Sequence, residues 1–214
     1  MERQRQAHGT LTAVADRERD LERLLTFVDA VVAIAITLLV LPLAEVGTQV
    51  HDRPVAELLR EHSVDIYGFL LSFTVIARLW VGQHRIVSSL VRQSTALIWL
   101  LLAWSFTIVL LPFPTTLATD TTDDTVARVF YLGTMAVSSA LLTCIAYEIG
   151  RHRHLRDTEH KPDLRQSTGT TIAFVLALVI SAVFPATSYW PLLLLVLVDP
   201  AVRLLDHRRP AGER

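Results

Sequence analysis

The chain has 214 residues, 51% of them hydrophobic, with 20 Lys and Arg against 21 Asp and Glu for a net charge of −1. A mean hydropathy of +0.41 is too high for an ordinary soluble domain, and the uncharged runs 93–119, 129–147 and 166–198 mark an integral membrane protein. The near-zero charge removes the electrostatic case for nucleic acid, and the single Cys144 excludes an intrachain disulfide.

Residues 1–22 are polar and are expected to form a flexible tail. Crossing about 30 Å of hydrocarbon takes roughly 20 helical residues, which predicts spans over 24–44, 64–86, 95–118, 127–149, 168–185 and 188–205. The first apolar run follows some two dozen polar residues and precedes five more, so a cleaved signal peptide is not expected. The last two spans share one uncharged stretch of 33 residues, which as a single helix would reach about 50 Å. Pro185 and Pro191 flank Ala-Thr-Ser-Tyr-Trp at its middle, where proline breaks a helix and aromatics favour the interface. The expected fold is therefore all-α: a six-helix transmembrane domain over 23–205 between an N-terminal tail 1–22 and a C-terminal tail 206–214, without an internal repeat.

With six spans, both termini and the loops after spans two and four share one side. That side collects the basic residues up to Arg23, then Arg85 and Arg92, those from Arg151 to Arg165, and those from Arg203 onward. The opposite loops hold Arg53 and Arg60, with Arg128 at a helix edge. Positive residues mark the cytoplasmic side, so both termini are expected there.

Span one carries the chemistry. At 100° per residue, Arg23, Phe27, Ala30, Ile34, Thr37, Leu38 and Leu41 share one face. Such a stripe ordinarily means lipid contact or bundle packing, but Thr37 lies within it and Arg23 at its cytoplasmic end. A ring of such helices would present a basic mouth, then hydrophobic constrictions at Ile34 and Leu41 with hydroxyls between them, and a constriction of this kind gates by dewetting. Asp29 points about 100° off that stripe and lies about 7 Å inside the span, deep enough to require a partner. Trp80 and His84, at i and i+4 near the cytoplasmic end of span two, are the candidates, with Arg78 close by. Asp29 is read as positioning the helix, not as binding an ion.

Other chemistry is lacking. His152, His154 and His160 lie among arginines in a cytoplasmic loop, with no cysteine or paired carboxylate at ligand spacing. No nucleophile with a base stands at membrane depth, so no catalytic residue, cofactor or resident metal is assigned.

Taken together, these residues resemble the transmembrane protein 175 family of potassium channels. The resemblance rests on Arg23, Phe27 and Asp29 running into Ala-Ile-Ala-Ile-Thr-Leu-Leu-Val-Leu at 33–41, on Leu-Leu-Ser-Phe at 70–73 with Trp80 and His84-Arg85, and on Leu-Ile-Trp at 97–99 leading to Leu-Leu-Pro-Phe-Pro-Thr at 110–115. It implies that the first helix lines a central pore, that Ile34, Leu38 and Leu41 form the constriction, and that Thr37 contributes to selectivity for potassium over sodium. The single six-helix repeat resembles the bacterial members and implies a homotetramer in the plasma membrane, with no other protein partner. A single stripe-bearing helix could not enclose a pore alone, which agrees. Two positions depart from the family: Val28 replaces a usual serine, and Arg78 stands where an apolar residue is expected.

The expected function is passive, potassium-selective conduction. The alternative is a proton-coupled secondary transporter using Asp29, His84 and Asp199 as a relay. Transporters commonly have repeats and Gly- or Pro-broken helices near the midplane; spans one to four are expected to lack these, with Pro42 capping the outer end of span one.

Overall fold

The computed structural model describes residues 2–47, 54–120, 124–152, 155 and 164–183. The described residues are helical, with no strand: α1 (Glu2–Leu38), α2 (Leu41–Gly47), α3 (Val55–Glu61), α4 (Ser63–Val87), α5 (Thr95–Leu110), α6 (Pro112–Asp120), α7 (Thr125–Arg151) and α8 (Leu164–Val183). Five stretches are long and apolar enough to cross a membrane: Arg19–Gly47, Ser63–Val87, Thr95–Thr119, Thr125–Arg151 and Leu164–Ala182. They correspond to the first five expected spans. The expected sixth span at 188–205, the turn between Pro185 and Pro191, Asp199 and the tail 206–214 lie outside the described residues, as do His154 and His160.

Three features differ from expectation. Residues 2–22 are not irregular but continue α1 upward. Ala, Glu, Arg and Leu dominate the later part of this segment, and a helix already nucleated in the bilayer extends at little cost. Span one is interrupted, because Pro42 has no N–H to offer the Leu38 carbonyl and its ring crowds that carbonyl. The chain answers with a turn at 39–40, where the Val40 N–H donates to Thr37 O at 3.3 Å and the Ala44 N–H then donates to Val40 O at 3.0 Å. Span three is interrupted for the same reason at Leu111, immediately before Pro112. Leu111 takes a shortened bond, its N–H donating to Ile108 O at 3.2 Å.

The Ile108 carbonyl that Pro112 frees thereby keeps a partner within the helix, as hydrocarbon requires. Thr115 donates to Leu111 O from both its N–H, at 3.1 Å, and its hydroxyl, at 2.8 Å. Its hydroxyl hydrogen is thereby committed. Ser72 on α4, 3.0 Å away, must then donate to Thr115 and accept from the Tyr131 hydroxyl of α7 at 2.8 Å. Ser72, Thr115 and Tyr131 are all buried, so this directed chain ties α4, α6 and α7 around the break.

Helix α7 is the hub, packed against α4, α5, α6 and α8. Lipid is as apolar as leucine, so packing and polar contacts, not hydrophobic expulsion, hold spanning helices together. Along α7, Ala136, Ser138, Ser139 and Ala146 are buried small residues that let α8 approach closely. There Thr143 lies 2.9 Å from Ser167 and 2.8 Å from Thr171, and Ser139 lies 3.0 Å from Thr171. Caps fix two starts: Ser94 Oγ accepts from the Leu97 N–H of α5 at 3.1 Å, and Asp124 Oδ1 accepts from the Val126 N–H of α7 at 2.8 Å. The Val91 and Arg92 N–H groups both donate to Leu155 O, at 2.9 and 3.3 Å. The connections after α4 and α7 therefore meet at one end of the bundle, the end that holds most of the basic residues.

Gly68 of α4 faces Thr119 of α6 so closely that a Cβ there would collide with the Thr119 methyl group. Gly68→Ala should lower the melting temperature of the detergent-purified protein, at a cost of about 1–3 kcal/mol. Adding Thr119→Ser, which removes that methyl and keeps the hydroxyl bonded to Thr116 O, should restore most of the loss.

Candidate functional site on the first span

Helix α1 has two unlike faces. Leu21, Val28, Val32, Ala35 and Leu39 are buried against the rest of the chain, and α1 packs on α5, with smaller contacts to α4 and α6. Arg23, Phe27, Ala30, Ile34, Thr37 and Leu38 of α1, with Leu41 beyond the break at the start of α2, are all exposed on the single chain, Ile34 by 58% and Leu41 by 54%. The 3.6-residue repeat thus divides the helix as the stripe predicts, with the residues of interest turned away from their own bundle. Val28 is fully buried and supplies apolar packing.

Exposure alone does not single out this face. Trp99, Phe106 and Val126 expose comparable apolar area on α5 and α7, as lipid-facing helices do. The α1 face also carries two polar groups, as the exposed face of α4 does with Thr74 and Arg85. The Thr37 hydroxyl donates to Ile34 O at 2.7 Å, which fixes its rotamer and leaves the lone pairs of its oxygen directed outward. Arg23 stands at the basic end of the same stripe.

Asp29 ties α1 to α4. The Trp80 indole N–H of α4 donates to Asp29 Oδ1 at 2.8 Å, and the Trp80 ring packs on His84 with centroids 5.8 Å apart and planes tilted by 33°. Of the candidate partners read from the sequence, Trp80 makes the bond and His84 supports Trp80; among the described residues His84 makes no bond to Asp29. Arg78 lies instead on the wall of a cavity between α4, α7 and α8. Phe27 is half exposed on the stripe and takes no part in this contact.

The sequence reading missed the chain Tyr131–Ser72–Thr115. Ser72 and Thr115 stand inside two of the motifs quoted above, yet they are 43 residues apart and Tyr131 lies 59 residues beyond Ser72. The one available signal was the coincidence of a buried-span serine with a threonine just after two prolines. Among the described residues no group of His, Cys, Asp and Glu could hold a metal.

Residues 23–112 match the model of a family described as the endosomal/lysosomal potassium channel TMEM175. The fold is similar to the crystal structure of a lysosomal potassium-selective channel TMEM175 homologue from Chamaesiphon minutus, with a TM-score of 0.71 and 23% sequence identity over 86% of this chain and 98% of that one. At that identity the likeness is one of fold. No curated protein matches the chain. The resemblance read from Arg23, Phe27 and Asp29 thus stands on a sequence match over the first three spans and a fold match over most of the chain, and the matching family is one of ion channels, not enzymes. The segment matched contains every candidate residue of α1, together with Trp80 and His84.

Interhelical hydrogen bonds in membranes contribute roughly 0.6–1.7 kcal/mol. Trp80→Phe and Asp29→Ala should each lower the melting temperature by a similar amount and reduce the yield of assembled protein. Asp29→Asn, which keeps an acceptor oxygen, should retain most of both. A destabilised Asp29→Asn would assign the effect to charge and not to the bond from Trp80.

Proposed function

We propose that the chain, like the family its residues 23–112 match, forms a potassium-selective cation channel in which α1 of each of four identical subunits lines a central pore. The observation that carries this reading is the exposed α1 stripe. It joins a basic end, a hydroxyl and bulky aliphatic side chains on the one face of α1 that the bundle leaves uncovered.

In such a ring Ile34, Leu38 and Leu41 narrow the path to a hydrophobic constriction. A cation crosses it only after shedding part of its hydration, and the cost of that loss depends on ion size. Potassium holds its water less tightly than sodium, so a narrow passage favours it. The Thr37 oxygen, its hydrogen committed to Ile34 O, presents an acceptor dipole between the aliphatic rings and replaces part of the lost hydration. Asp29 and Trp80 act through position: they set the rotation that points Ile34 and Thr37 inward. Arg23 lies at the cytoplasmic mouth, with the membrane taken as a bacterial plasma membrane. No cofactor enters this account, and potassium is the permeating ion.

The helix breaks at 39–40 and 111 favour a second reading, a proton-coupled secondary transporter, since broken helices are common in such proteins. Both breaks, however, fall past the middle of their spans, toward Gly47 and Asp120, and Asp65, which lines the cavity they share, is already bonded to the His62 ring at 3.0 Å. One experiment separates the readings: flux into liposomes with opposed potassium and sodium gradients and a proton-permeability control. A channel follows the potassium gradient with no proton gradient, and Ile34→Ala widens the constriction and raises flux or lowers its selectivity. Flux that requires a proton gradient would establish the transporter, and unchanged flux in Ile34→Ala would remove Ile34 from the pore.

A further inference from the structure

A cavity of about 330 Å³ opens where the breaks in spans one and three meet the first turns of α4, at the end of the bundle away from the basic loops. Apolar side chains make up most of its described wall, among them Leu39, Pro42, Phe69 and Phe113. Asp65 of α4 and Thr115, Thr116 and Thr119 of α6 supply the polar part. Ligand pockets have this volume and this mixture, an apolar body with a few placed polar groups.

These polar groups are alike in kind. Each threonine hydroxyl has given its hydrogen to a backbone carbonyl: Thr115 to Leu111 O at 2.8 Å, Thr116 to Phe113 O at 2.8 Å, and Thr119 to Thr116 O at 2.9 Å. Their oxygens are left as acceptors. The His62 ring meets Asp65 at Oδ2, which engages one carboxylate oxygen and leaves Oδ1 with no bond among the described residues. Gly68 faces Thr119, and Asp65 lies one turn before Gly68 on the same face of α4. Carboxylate and threonine therefore share one edge of the cavity. Phe69 and Phe113 add phenyl rings, whose faces attract cations. A bare ion would lose its water to the apolar wall without replacement. A cation that carries its own hydrocarbon body fits both the wall and the acceptors.

We propose that this cavity binds a small lipophilic ammonium ion. The ammonium group donates to Asp65 Oδ1 and the Thr119 hydroxyl oxygen, and the hydrocarbon body lies against Leu39, Pro42 and Phe113. Leu38 and Leu41 belong to both the cavity wall and the exposed stripe, so the occupant bears on the proposed constriction from the side. That consequence rests on the channel reading; the binding itself holds whether or not the protein conducts.

The test uses the full chain purified in detergent, with its melting temperature followed against three probes that share one apolar cage: adamantylamine, adamantanol and adamantane carboxylate. The amine should raise the melting temperature, while the alcohol and the carboxylate should not. Loss of one charge-assisted contact weakens binding by about tenfold, so Asp65→Asn should need about ten times more amine for the same shift. Val109→Phe, at an exposed position on the wall, should fill the cavity and remove the shift. Glu57→Gln, which alters an exposed carboxylate outside the described wall, should leave the response intact. If Asp65→Asn fails to fold, Val109→Phe and the comparison of probes decide. An equal shift with adamantanol, an unchanged amine response in Asp65→Asn or Val109→Phe, or a lost response in Glu57→Gln would each overturn the assignment.

Discussion

A carboxyl group several residues inside a membrane span must find its hydrogen bond within the protein, because lipid offers none. Asp29 finds it at the Trp80 indole, 2.8 Å away on α4. We propose that this bond, together with the packing of α1 on α5, sets the rotation of α1 about its own axis. With Asp29 turned to α4, and Val28, Val32 and Ala35 packed against the bundle, the side chains about 100° around the helix are left facing outward. Those are Ile34, Thr37, Leu38 and Leu41. The proposed pore face is thus a consequence of where a second, unrelated face is pinned.

Hydroxyls and small residues do the remaining assembly, in keeping with a medium that supplies no hydrophobic drive between helices. Ser139, Thr143, Ser167 and Thr171 join α7 to α8, and the chain from Tyr131 through Ser72 to Thr115 joins three helices at the outer break. The two proline-induced breaks line a common cavity of about 330 Å³, which Leu39, Pro42, Pro112 and Thr115 enclose among others. The interruptions thus border the same space.

Much of this was legible in the sequence because it is periodic. The uncharged runs locate five described spans to within a few residues, and the 3.6-residue repeat of α1 separates its exposed from its buried residues. Trp80 was legible as the partner of Asp29, because it and His84 lie one turn apart at matching depth on the next span. Proline was misread: Pro42 as a cap ignored that its ring acts on the carbonyl four residues earlier, which moves the break back to 39–40. Pro112 was overlooked in the same way, so spans one and three are broken, each past the middle of its span. The Tyr131–Ser72–Thr115 chain was not legible, since its members pair across 43 and 59 residues and no local rule links them. Nor was the continuation of α1 through residues 2–22, where polarity suggested a tail although the residue types favour a helix.

Cysteine substitution along α1, in a Cys144→Ser background, tests most directly the claim that this face of the helix meets the permeating ion. Potassium flux into liposomes would be measured before and after a small, cationic, water-soluble thiol reagent. The account predicts block, reversed by reductant, for Ile34→Cys, Thr37→Cys, Leu38→Cys and Leu41→Cys, and none for Val28→Cys, Val32→Cys or Ala35→Cys. Block at the buried positions, or unaltered flux at all four exposed ones in proteins that still conduct, would contradict it.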